Sequence, residues 1–149
     1  MSLDADVRRL AGARPLDKLP REALQLLAFS CQKRSLHSGE ALFAAGEAAE
    51  GAFFVLEGEI VLRRDQAERR AGAGVLIGEQ ALLAQTLRPA DATAARESLL
   101  LSIPRETFRR VLSEFPESAE KIHRDQLART RKLVAALEGV QRRAFARRA

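Results

Sequence analysis

Gly78, Glu79 and Arg88 are the residues whose types and spacing could do chemistry. They lie in GAGVLIGEQALLAQTLRPADATA, where Gly72, Gly74 and Gly78 bring the backbone into a tight bend and QALLA reads as a short apolar helical turn. N–H groups at the start of such a turn lack intrahelical partners and sit at the positive end of the helix dipole, so they attract an anion. Gly78 permits close approach. Arg88 supplies a planar fork of donors that matches phosphate oxygens, and Glu79 can accept hydrogen bonds from sugar hydroxyls. The chemistry is that of holding a small phosphorylated ligand. The same residue types also fit a plain turn, a helix-start acid and a solvated loop charge, because a lone Gly-rich turn is a weak motif.

Competing chemistries find little support. A metal-dependent enzyme on a β-roll needs clustered histidines or carboxylates. His37, expected on a strand, and His123, expected on a helix, are the only histidines, and the sequence gives neither a partner. Cys31, the single cysteine, reads as a small buried hydrophobe and cannot form an internal disulfide. The serines lack a nucleophile-elbow context. No catalytic constellation is visible. The lone cysteine and the absence of a signal peptide or membrane anchor predict a cytoplasmic protein that does not enter the membrane.

The elements that must position the site follow from punctuation. With 149 residues the chain reads as one domain with three parts: N-terminal helices over 1–29, a β-roll over 30–104 that carries the phosphate cassette at 72–94, and C-terminal helices over 105–149. Ser2–Ala11 reads as a short helix. Pro20 opens a second, with Leu24, Leu27 and Phe29 on or near its inward face. Seven of the nine glycines fall between Gly39 and Gly78 and separate short β-like runs such as Ala41–Phe43, Ala52–Leu56 and Ile60–Arg63. Glu57-Gly58-Glu59 reads as a tight turn between two apolar strands, Leu62 to Arg70 as a polar hairpin end, and Leu99–Ile103 as the last strand. The fold class is mainly β with flanking α.

Pro104 starts a helix and Pro116 another that runs nearly to the end, about 48 Å at ~1.5 Å per residue. Ile122, Leu127, Thr130, Leu133, Val134, Leu137 and Val140 form an apolar stripe along it, interrupted by Gly139. Such a helix is too long for one small roll, so its overhang is expected to pair with a second copy. The net charge of +5 is confined to this tail: residues 117–149 hold nine Lys/Arg against four Asp/Glu, and the rest hold sixteen of each. No basic stripe crosses the globular part, and the arginines of QRRAFARRA read as a solvated helix end.

Gly78-Glu79, then Ala81-Leu82-Leu83, then Arg88 and Ala90, resembles the phosphate-binding cassette of the cyclic nucleotide-binding domain family. The flanks agree: GEALFAAGE, FFVLEGEIVL and SLLLSIPRETF are similar in order and spacing to that family's β-roll, over roughly residues 15 to 135. The resemblance implies an antiparallel, jelly-roll-like β-roll whose final helix closes over the base of the nucleotide and, in homodimeric regulators, forms the subunit interface. It implies a ligand site of Ile77, Gly78, Glu79, Gln80, Ala81, Arg88, Pro89 and Ala90. Arg88 would grip the cyclic phosphate of cAMP, or alternatively cGMP, Glu79 the ribose 2′-hydroxyl, and the N–H groups of Gln80 and Ala81 would add donors. No cofactor is expected. A helix-turn-helix after the long helix, and with it a DNA-binding domain in this chain, is not expected, and its output would pass through a homodimer or an unidentified protein partner. Two departures stand out. Pro89 has no N–H where the family has a donor, and Asp91 replaces a common threonine. Two functions therefore remain open: a nucleotide-gated regulatory module, and a degenerate fold that serves as a dimerisation or interaction scaffold.

Overall fold

The computed structural model describes residues 3–148, with side chains through residue 144. Helix α1 (Leu3–Leu10), a 3-10 turn at Leu16–Lys18 and α2 (Arg21–Ser30) open the chain. The expected start at Ser2 lies outside the described residues. Pro20 caps α2, and Leu24 and Leu27 are buried against Val7 and Leu10 of α1. Phe29, expected inward, is 81% exposed. Five positions past Leu24 at ~100° per residue, it has rotated off the face that Leu24, Leu27 and Ala28 share.

Ten strands follow among the described residues: β1 (Gln32–Leu36), β2 (Ala41–Phe43), β3 (Ala48–Ala49), β4 (Gly51–Glu57), β5 (Glu59–Arg64), β6 (Ala67–Gly72), β7 (Leu76–Ile77), β8 (Thr86–Leu87), β9 (Asp91–Ala94) and β10 (Ser98–Pro104). A single helical turn, α3 (Gln80–Leu83), interrupts them between β7 and β8, and α4 (Arg105–Glu114) and α5 (Pro116–Arg148) close the chain. Every strand pair is antiparallel. One sheet runs β1-β10-β4-β7, a second β2-β9-β5-β6, and β3 with β8 forms a small ribbon. This is a β-roll with helices at both termini. His37 falls one residue past β1 instead of on a strand, exposed, with its Nδ1 3.5 Å from Glu97.

Strand β4 explains how two cores share one sheet. Its side chains alternate: Ala52, Phe54 and Leu56 pack with the helices, while Val55 packs between the sheets with Leu36, Ile60 and Leu100. Both faces are covered, so the strand reads as an almost continuous apolar run instead of an alternating one. Gly58 then carries the chain across at φ +94°, where a side chain would also collide with Ser98. The predicted turn is there, but its flanking strands lie in different sheets. The hairpin is β5–β6, turning at Asp65-Gln66.

Helix α5 spans 33 residues. Ser118 and Ile122 are buried, whereas Leu127, Leu133, Val134, Leu137 and Val140 are 42 to 61% exposed. The stripe predicted from spacing thus touches the roll only at its beginning. Among the described residues, no helix is long and apolar enough to cross a membrane.

Gly51 sits where β4 crosses the end of β10; a Cβ there would run into the Ile103 carbonyl and stand 2.8 Å from Pro104 Cα. Gly51→Ala should therefore lower stability by about 1–3 kcal/mol through backbone overpacking, read as a fall in the urea midpoint at unchanged slope.

Candidate functional site

The site forms where the space between the two main sheets opens. Phe43 at the end of β2 and Phe53 on β4 stack with ring centroids 6.2 Å apart, one ring from each sheet. The Arg88 guanidinium lies over both, 4.4 Å from the Phe43 centroid and 5.4 Å from that of Phe53. Its charge faces the negative faces of the rings, a contact worth about 0.5–2 kcal/mol. Arg88 is only 7% exposed. Burial pushes its guanidinium below the ordinary value, and the nearby Glu47 carboxylate partly opposes that shift.

Backbone bonds hold Arg88 in place: its N–H donates to Glu47 and its carbonyl accepts from Gly46, each at 2.8 Å. Gly78 makes room for it. At φ +76° a Cβ would stand 2.6 Å from Arg88 Nη1, so the glycine is required both by its backbone angle and by the arginine beside it. Among the described residues, no carboxylate makes an ion pair with Arg88. A buried cation without a counterion is poised to receive an anion.

Two adjoining hollows of about 320 and 330 Å³ meet at Arg88. The first is walled by Phe43, Leu62, Ile77 and Ala90; the second by Glu79, Gln80, Ala81 and Thr86. Gly78, Arg88, Pro89 and Arg69 border both. All eight residues singled out from sequence therefore line one cleft. Glu79, Gln80 and Pro89 are exposed at its rim, Ile77 and Ala81 are buried in its wall, and Gly78 and Ala90 are half-buried. One expected donor is already engaged: the Ala81 N–H bonds to the Gly78 carbonyl at 3.0 Å. That leaves the head of the turn, at Glu79 and Gln80, as the place for free donors. Asp91 turns away from the cleft, where its carboxylate accepts from the Ala45 N–H at 2.7 Å, so it does not oppose an anion.

Sequence reading missed Phe43, Phe53, Leu62 and Arg69. Two phenylalanines inside apolar strands look like ordinary core, and their role depends on a register that only the paired sheets reveal. Arg69 was foreseeable in part: it faces Leu62 across the hairpin, on the inward side by alternation. Its neighbours Arg63 and Arg70 pair with Glu68 and Glu59 on the other face. Cys31 lies away from the cleft, and burial pushes its thiol up to about 12, so it stays protonated. Among the described residues, no group of three or more His, Cys, Asp or Glu is placed to hold a metal.

Fold and cleft together define a β-roll ligand-binding domain. Residues 33–115 match the model of the cyclic nucleotide-binding domain. The chain belongs to that family, which is a regulatory one. It is 33% identical over 122 residues to a cyclic nucleotide-gated potassium channel of Rhizobium etli, covering 81% of this chain and 34% of the channel. It is 30% identical to a lysophospholipase of Neurospora crassa, covering 84% of this chain and 9% of that enzyme. The chain thus spans about a third of the channel's length and about a tenth of the lysophospholipase's. Among solved structures, a cyclic nucleotide-binding-like protein from Brucella abortus is 36% identical with a TM-score of 0.69, covering 74% of this chain and 99% of that one.

Because Arg88 is buried without a carboxylate partner, Arg88→Met should leave stability within about 1 kcal/mol of the parent. The lost cation–π contact is offset by removal of a desolvated charge. Urea titration of both proteins without ligand checks this; a large fall in midpoint would make Arg88 a structural residue.

Proposed function

We propose that this chain is a regulatory module that binds a cyclic purine mononucleotide, with its phosphate on Arg88. The observation that carries the reading is the Arg88 guanidinium, buried on two aromatic rings and, among the described residues, lacking an ion-pair partner. Glu79 accepts from the ribose 2′-hydroxyl, the head of the α3 turn adds N–H donors, and Ile77, Leu62 and Ala90 cover the apolar faces of sugar and base. Family resemblance favours cAMP. Arg69 favours cGMP as a second reading, because arginine donors match the O6 and N7 acceptors of guanine, whereas adenine offers an amine in place of O6. The Rhizobium relative is named for gating by cyclic nucleotides, and a comparable role in the cytoplasm, controlling an attached or associated output, fits this chain. A scaffold without ligand is the competing function, favoured by the donor lost at Pro89.

Calorimetric titration with cAMP and cGMP tests the reading. Saturable binding that disappears in Arg88→Met supports it, and absence of heat for both nucleotides at millimolar concentration would overturn it in favour of the scaffold. Pro89→Ser restores an N–H and adds a hydroxyl, so affinity should rise about tenfold.

The exposed stripe of α5 is the proposed homodimer contact. Burying each of Leu133, Val134, Leu137 and Val140 would contribute about 1.5–3 kcal/mol, and identical chains pair most readily about a two-fold axis. Sedimentation equilibrium should give a dimer at tens of micromolar and a shift toward monomer for Leu137→Glu. A monomeric parent would remove this contact from the proposal.

A further inference from the structure

Arg105, the first residue of α4, does not border either hollow, yet its guanidinium reaches the segment that forms them. Nη1 alone donates to three carbonyls: Ala49 at 2.9 Å, Ala81 at 3.0 Å and Ala84 at 3.3 Å. Its backbone N–H donates to Glu50 at 2.8 Å. Ala81 and Ala84 are the carbonyls at the C-terminal end of the α3 turn. Those groups have no helical partners, and a cation is favourable there. Ala49 belongs to β3, whose register sets it opposite Thr86 on β8, two residues before Arg88. The loop from Gly78 to Arg88 is therefore gripped by one side chain where its turn ends and beside the strand by which it returns.

A four-residue helix cannot sustain itself, since nucleation costs more than one turn returns. Ala81 and Leu82 anchor the inner side of α3 by burial, but its end carbonyls depend on Arg105. We propose that Arg105 is the positioning residue of the anion site: it holds the α3 turn in the shape that aims Gly78, Glu79 and Gln80 at a ligand on Arg88, and ties that turn to α4. This rests on the nucleotide-binding reading above. All three bonds come from Nη1, which the long, planar guanidinium carries to the carbonyls; a lysine keeps the charge on a shorter and freely rotating stem, so it recovers the interaction only in part.

Three proteins, the parent, Arg105→Gln and Arg105→Lys, decide this by calorimetric titration with cAMP and cGMP and by amide hydrogen exchange. Arg105→Gln should weaken nucleotide binding about tenfold or more. It should speed exchange at Leu83 and Ala84 while leaving the β10 amides of Leu100 and Leu101 protected. Arg105→Lys should fall between it and the parent on both measures. Unchanged affinity in Arg105→Gln would overturn the proposal, as would equal loss of protection in β10, which marks a general structural role. If the parent binds neither nucleotide, the ligand reading fails separately. Exchange then judges the grip on α3: selective loosening in Arg105→Gln sustains it, and unaltered exchange overturns it.

Discussion

The arrangement turns on a guanidinium buried against two phenylalanine rings that, among the described residues, makes no ion pair with a carboxylate. Phe43 and Phe53 come from different sheets, so the platform beneath Arg88 exists only when the roll is closed. The glycine at position 78 lies against the same charge: its φ of +76° already favours glycine, and a Cβ there would stand 2.6 Å from Arg88 Nη1. A salt bridge would have been an easier way to stabilise a buried arginine. It would also have made every incoming anion compete with a resident one. Aromatic faces lower the cost of burial without occupying the donor fork, and Glu47 helps at longer range without forming an ion pair.

That choice shapes what surrounds it. The Arg88 N–H and carbonyl are spent on the β2–β3 loop, and the Ala81 N–H is spent inside its own turn. The backbone that fixes Arg88 therefore offers fewer donors to a ligand than the residue types promise. Pro89 removes one more, but its ring also fixes φ next to the arginine and so limits the ways the loop can collapse into the cleft. Lost donors and a stiffer loop act in opposite directions on affinity, and the donor term is the larger because it acts on a charged group.

Much of this was legible in the amino-acid sequence, for definite reasons. Glycines at 39, 58 and 78 mark left-handed backbone positions, which few other residues fill, so punctuation located the strands well. Prolines at 20, 104 and 116 placed the helix starts. The spacing from Gly78 to Ala90 gathered residues that do line one cleft. What escaped was long-range register. Phe29 was read inward because apolarity was weighed above helical phase. The tight turn at Gly58 joins two apolar strands as expected, but local sequence says nothing about which sheet each strand enters, and β4 and β5 enter different ones. Asp91 could have faced the phosphate or the solvent, and its bond to Ala45 settles the matter through a contact 46 residues away.

The α3 turn and the long helix are neighbours, and that proximity limits how one can influence the other. A third hollow separates Glu79, Gln80 and Leu83 of the α3 segment from Ile122, Asp125, Gln126 and Arg129 of α5. The turn thus borders the cleft on one side and α5 on the other, and this second boundary mixes charged side chains with Leu83 and Ile122. A ligand shifts an equilibrium only by its differential affinity for two states, so a nucleotide bound as proposed would act on α5 only to the extent that the turn it needs fits one helix position better than another. Ile122 supplies the apolar anchor of α5 on the roll, and the helix beyond it lies exposed. On the proposed function, a change at the α3 turn would therefore act on α5 at its anchored beginning, around Ser118 and Ile122, and not along the exposed remainder.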